Sequence, residues 1–409
     1  MNRALLAGLS GTLANQTYMD VLGNNIANAN TVGFKEGRVT FQDAYYQTIR
    51  GGGSGSETGL GGTDPAQIGS GTTVGQIQTL HTQGSMRYSG ATLDAAIEGG
   101  GMFVLSDGSG GQYYTRDGSF TMDSSHTLIA GSNGMRVLGW KAQNGAVNTD
   151  GQPGALTFPI GQVEPGQVTK GVEIGGNLDA GLDTDDTRTT TISVYDSLGM
   201  THAVALTFTK SATANEWGVD ASCDGTTVSD TVTFDPADGS IASGNTLAFS
   251  LAVTNGAATP LDFSLNLDAL TQLNQAGSNP LALSQDGTPS STLSSVTILD
   301  GGDLQGEYSD GHVAVLGRIA VASFANEGGL IRLGNNLYQE GANTGVVDLG
   351  AAGTSGRGQV RAQQLEMSNV DLTRSFVEIM TAQRGFQAST RVIAAANSML
   401  DDVMQLNVS

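Results

Sequence analysis

Cysteine is all but missing from this chain: Cys223 is the only one in 409 residues. A single thiol excludes an intramolecular disulfide framework and a cysteine-based metal cluster. Proline is scarce, at 8, which argues against collagen-like or proline-rich disordered chain. Aromatic residues make up only 6%, although an apolar fraction of 38% still supports real cores. The 18 basic residues face 39 acids, and the net charge of −21 disfavours nucleic acid or an anionic membrane as a partner. No run of about 18 apolar residues occurs, so no membrane insertion is expected. The apolar stretch Ala4 to Leu9 is too short for a secretory signal, and it continues as an amphipathic pattern, so no cleavable signal peptide is expected.

Catalytic patterns are missing too. His81, His126, His202 and His312 lie far apart and match no zinc-binding spacing. None of Lys35, Lys141, Lys170 and Lys210 follows a glycine, so no phosphate-binding loop exists, and there is no G-x-S-x-G elbow. The acid pairs Asp185-Asp186 and Asp401-Asp402 read as solvated. No enzyme activity, metal or cofactor is expected.

Glycine, by contrast, is abundant at 59. With Thr, Ser, Asn and Asp it marks tight turns between short strands. Strand-like alternation appears at Val74 to Leu80, Met102 to Leu105, Tyr113 to Arg116 and Met135 to Trp140, with a turn at Asp107 to Gly111. It resumes at Thr189 to Phe208, Thr231 to Phe234, Leu247 to Val253 and Val313 to Phe324. Gly51 to Gly62 reads as an irregular loop or flexible hinge.

The two ends are helical. Met1 to Asn28 carries Leu5, Leu9 and Leu13 in steps of four, then Met19, Leu22 and Ile26. At the other end Leu372, Ile379, Phe386, Ile393 and Leu400 recur every seven residues. Phe376, Gln383, Thr390, Asn397 and Met404 follow four residues behind as a second, mostly polar seam. Ser368 to Asp371 reads as the N-cap. Such a helix is roughly 50 Å long and cannot bury its seam alone. An isolated N-terminal helix cannot offset its backbone entropy either, so it is expected to order only against partner helices. The expected fold is mostly β and multi-domain, with α-helical termini and nested domains. Residues 1–28 and 368–409 form a terminal helical domain, and 29–73 with 358–367 a connecting extended or loop region. Residues 74–170 with 286–357 form an inner β domain. Residues 171–285, with 14 acids against 2 bases, form an outer acidic β domain.

The run Asn24 to Lys35, with Asn28, Asn30, Thr31, Gly33, Phe34 and Lys35, resembles the N-terminal signature of the flagellar rod and hook axial proteins. Leu365 to Ile393, with Ser368, Asn369, Val370 and Asp371, resembles their C-terminal signature. Ala91 to Asp123 is similar to their shared β domain, and Val194 to Gly199, Gly306 to Gly311 and Ser323 to Leu330 resemble the hook members. Met102, Ser125-His126 and Glu327 depart from the usual residues. The resemblance implies a hook subunit that self-assembles into a curved helical tube and passes torque from rod to filament. In such a tube the terminal helices form a coiled-coil-like inner layer. The implied partners are copies of itself, the hook cap, the distal rod, the hook–filament junction proteins and the flagellar type III export apparatus, which would deliver it outside the cell. The alternatives are a distal rod or other axial subunit and, from another class, an extracellular acidic adhesin or calcium-binding module.

Overall fold

The computed structural model describes residues 2–54, 62–143, 145–223, 225–253 and 255–406. It is mostly β, with one α-helix at each end: α1 spans Asn2–Ala27 and α2 spans Leu372–Leu406. The expected hinge at Gly51 to Gly62 falls mainly on residues 55–61, outside the described residues.

The chain divides into two compact units. The first holds Met1–Phe158, Val296–Gly306 and Ala314–Ser409, and the second holds Pro159–Ser295 and Glu307–Val313. The second unit thus takes in 159–170, 286–295 and 307–313, which the sequence reading places in the inner β domain. Pairing across these flanks explains the difference: Val163–Glu164 lies antiparallel to Ser291–Ile298, and Gln167 accepts a backbone bond from Thr288.

In the first unit, Met102–Ser106 and Gln112–Thr115 form a hairpin closed by the Asp107 turn, whose carboxylate accepts the Ser109 and Gly111 amides. Arg136–Gln143 and Val321–Phe324 pair with the first of these strands, and Leu337–Gln339 with the second. Met102, Val104, Tyr114, Leu138, Trp140, Ala320, Ala322 and Tyr338 make the shared core. The connecting regions 29–73 and 358–367 contain paired strands. Gly37–Asp43 lies along Thr72–Thr79, and Tyr46–Arg50 along Ala66–Gly69. Gln359–Ala362 lies along Ala95–Glu98, and Gln364–Glu366 along Met86–Tyr88. These last two ladders bring the returning chain back beside the outgoing one.

The second unit is a sandwich. Thr187–Tyr195, Thr201–Lys210, Glu216–Cys223, Thr226–Phe234 and Ile241–Ser243 form one meandering sheet. Thr246–Leu251, Leu261–Leu273, Gly171–Asp179 and Pro280–Gln285 form the other. Their period-2 alternation places Val204, Leu206, Phe208, Trp217 and Val219 in one core with Phe249, Phe263 and Leu265. Asp196 anchors its Asp-Ser-Leu-Gly turn. Its carboxylate accepts the Leu198 and Met200 amides and bonds to His202 and Asn255. Burial opposes its charge, but these bonds hold its pKa down to about 2. Trp217 is fully buried. Trp217→Ala is expected to destabilise the second unit by about 3–5 kcal/mol, read from urea unfolding by circular dichroism.

Candidate functional site: the paired chain ends

The two helices pack antiparallel within one chain. A Cβ on Gly8 would stand 2.8 Å from Ile393, one on Gly11 2.8 Å from Ser389, and one on Gly385 2.7 Å from Asn15. Glycine at these points leaves room for the facing Ile393, Ser389 and Asn15 side chains. The buried stripe of α1 is Gly8, Gly11, Ala14, Leu22 and Asn25. On α2 it is Ser375, Ala382 and Ala396, with Ser389 half-buried between them.

This phase differs from the one read in the sequence. On α2, Ile379, Phe386, Ile393 and Leu400 are half-buried beside the seam, while Leu372 is exposed at 41%. The proposed second seam points away: Phe376, Gln383, Asn397 and Met404 are exposed, and Thr390 is half-buried. The seam that meets α1 lies three residues behind the apolar one, not four. Small residues fill it, because hydrophobicity marks bulk and a close helix contact needs its absence. On α1, Leu22 is buried, Leu5 and Ile26 are half-buried, and Leu9 and Leu13 are exposed. The partner helix that the entropy argument requires for α1 is present in the same chain, as α2.

The N-cap is Asp371, not Ser368. Its carboxylate accepts the amides of Thr373 at 2.9 Å and Arg374 at 3.2 Å, so α2 starts at Leu372. The Ser368 hydroxyl accepts the amide of half-buried Val370, outside the helix.

Where the helices join the β structure, the signature residues form one polar knot. Asn25 brackets Gly37, donating to its carbonyl at 2.8 Å and accepting its amide at 2.9 Å. Asn28 donates to the Asn24 carbonyl and accepts the Thr31 hydroxyl; Asn30 is exposed. Gly33 sits at φ +69° and donates its amide to the Glu366 carbonyl at 2.7 Å. A Cβ there would strike the backbone of Asp117 at 2.7 Å. Phe34 is buried under the Arg332 guanidinium, 5.2 Å away. Asn369 accepts the Glu36 amide and donates to the carbonyls of Leu80 and Thr82.

At the centre lies Glu366, with no exposed surface. One carboxylate oxygen accepts Lys35 Nζ at 2.6 Å and the Gly84 amide at 2.8 Å, and the other accepts Arg116 at 3.2 Å. Arg116 also donates to the carbonyls of Ile97 and Gly99. Burial pushes the Lys35 pKa below its usual value, with Glu366 opposing. His81 is buried beside these cations, and neither ring nitrogen has a hydrogen-bond partner. Burial, then Lys35, Arg116 and Arg332, lower its pKa to about 4. Glu366, Arg116, His81 and the glycines of α1 were not picked out from the sequence as site residues. The signal for Glu366 was its place inside the run Leu365 to Ile393, two residues before Ser368.

Nothing here resembles a catalytic centre. Among the described residues no cluster of His, Cys, Asp or Glu is arranged to hold a metal ion. The geometry is that of a junction between the terminal helices and the β structure. Residues 5–35 match the flagella basal body rod protein family, and 361–406 match the C-terminal part of the flagellar basal body rod FlgEFG proteins. Residues 96–177 match the flagellar hook protein FlgE/F/G D1 domain, and 169–288 the flagellar basal body protein FlaE D2 domain. The flagellar hook protein FlgE of Treponema pallidum is 36% identical, over 99% of this chain and 100% of that one. The chain belongs to the flagellar hook protein family. The FlgE of Borreliella burgdorferi is likewise 36% identical over 99% of this chain and 100% of its own. The crystal structure of Helicobacter pylori flagellar hook protein FlgE2 shares the fold at a TM-score of 0.53 and 15% identity, covering 69% of this chain and 100% of that one. The chain is a structural subunit of the flagellar hook, of a family whose members are not enzymes.

Glu366→Ala strands two buried cations and is expected to cost about 3–5 kcal/mol, against a smaller loss for Lys35→Met, both read from chemical unfolding. His81 contributes a separate pH dependence. Its folded pKa lies below its unfolded value, so its share of stability is present above about pH 6.5 and is lost as pH falls towards 4. His81→Phe is expected to remove about 3 kcal/mol of that acid sensitivity, measured as the difference between the two stability–pH curves.

Proposed function

We propose that the paired helices are the repeating unit of a tube wall. Other copies of the chain cover the apolar surface that intramolecular pairing leaves bare. One observation carries this reading. Leu6, Leu9 and Leu13 on α1 are exposed at 48–57%, as are Phe376, Val377 and Met380 on α2 at 50–54%. Water-facing apolar rows on two joined helices mark an association surface. Neighbours that wrap the pair on several sides make heterologous, open-ended contacts, which build helical tubes.

In this reading Phe376, Gln383, Thr390, Asn397 and Met404 face neighbouring copies, and their polar members set register without closing a dry core. Leu9, Leu13 and Leu372 join them. The β units form the outer layers. The acidic second unit closes its own core, so its contacts with other copies are polar and exchangeable, as a bending tube that transmits torque requires. The subunit leaves the cell unfolded through the flagellar type III apparatus. It adds beneath the hook cap, between the distal rod and the hook–filament junction.

Electron microscopy of the purified full-length chain tests the reading, and curved or straight tubes are the expected result. Gly11→Leu forces α1 off α2 and is expected to abolish tubes while the second unit keeps its unfolding midpoint. A chain that stays monomeric at every concentration, or a Gly11→Leu chain that forms normal tubes, contradicts it.

A further inference from the structure

Antiparallel pairing places two unsatisfied features at opposite ends of the helical pair. The Gly8–Ile393 and Gly11–Ser389 contacts set Asn2 level with about residue 399, one residue advancing as the other retreats. The last turns of α2 therefore have no α1 beside them among the described residues. They expose Met399, Val403 and Met404, the last at 67%. They also carry Asp401 and Asp402, both exposed, while α2 has no basic residue in its last turn. Carboxylates at a helix C-terminus face the negative end of the helix dipole and call for a cation from elsewhere. Arg3 of α1 does not supply it, being turned to Gln47.

The other end of the pair holds a groove of about 230 Å³, lined by Asn24, Asn28, Phe34, Arg332, Asn336 and Tyr338 among others. Arg332 is exposed and lies over the Phe34 and Tyr338 rings. It donates to the Lys35 carbonyl, and a guanidinium has about five N–H donors, more than this carbonyl and the Tyr338 hydroxyl use. The amides around it are neutral, and the carboxylate of Asp20 stands in the adjoining hollow beyond Arg332. The groove thus offers a cation on an aromatic floor.

We propose that the acidic, methionine-bearing tip of α2 in one copy docks into this groove of the next copy along the tube. Asp401 and Asp402 meet Arg332, and the exposed methionines lie against the groove beside it. The chain's own tip cannot fill the site, because a helix roughly 50 Å long separates them. Charge matches, and a tip-to-root contact repeats without closing, as a filament contact must. This proposal rests on the tube reading and adds which surfaces meet along its axis.

The test uses the full-length chain carrying Asn24→Cys and Asp402→Cys. Mild oxidation of its tubes is expected to give a ladder of disulfide-linked multimers, at least about tenfold more than the dilute monomer gives. Each single variant should give no ladder. Tubes of normal appearance without a ladder overturn the docking and leave the tube reading standing. Failure of the unmodified chain to form tubes overturns the tube reading itself. A second arm covers the case in which the cysteine chain does not polymerise. Asp401→Arg with Asp402→Arg is expected to raise the critical concentration for assembly about tenfold, and Arg332→Asp in the same chain to restore it. With monomer folding verified by circular dichroism, no rise, or a rise without restoration, also overturns the docking.

Discussion

A carboxylate removed from water must be neutralised where it stands, and Glu366 is fully buried. It finds Lys35 from the outgoing chain, Arg116 from the hairpin sheet and the Gly84 amide. None of these partners suffices alone. Burial first, and then the two cations gathered on this one acid, keep the neighbouring His81 neutral. The whole arrangement of the chain ends depends on this knot. It holds residues on either side of the β units at hydrogen-bond distance. Asn25 and Asn369 then fix the first strand and the approach to α2. Only from such a common root can two helices run side by side in opposite directions.

The two units solve the burial problem in different ways. The second unit is a sandwich with large side chains inside, among them Trp217, Phe208 and Phe263, and it is complete within one chain. The helical pair instead joins through glycine, alanine and serine, which bury little apolar area per residue. Small side chains give close contact and modest hydrophobic gain. Apart from buried Leu22, the larger apolar side chains of the same helices lie beside or outside the seam. A pair built in this way is a thin element with adhesive flanks, suited to being one stave among many.

Much of this was legible in the sequence. Leu372, Ile379, Phe386, Ile393 and Leu400 announced a long helix, and α2 runs Leu372–Leu406. Strands such as Thr201–Lys210 alternate plainly, and their inward residues are the core. The phase of the helical seam was not legible. Periodicity weights bulk, so it favoured Phe376 and Met404 over Ser375 and Ala396, and the intramolecular contact chose the small residues. Asp371 also displaced Ser368 as the cap, because both are good caps and only the following geometry decides. The polar knot was hidden for another reason. Lys35 and Glu366 are 331 residues apart, and no local pattern couples them. The family resemblance pointed to both neighbourhoods without saying that one carboxylate joined them.

That separation also imposes an order of events. Any process that presents this chain from its N-terminus, synthesis included, produces Lys35 long before Glu366. Through nearly the whole passage the outgoing segment lacks its counter-charge, α1 lacks its neighbour, and the strand at Ala95–Glu98 lacks Gln359–Ala362. The second unit, contained between its own flanks, can close as soon as it emerges. The joint can close only when the last tenth of the chain arrives. Until α2 is present, α1 has no helix to pair with and its apolar rows stay bare on every side.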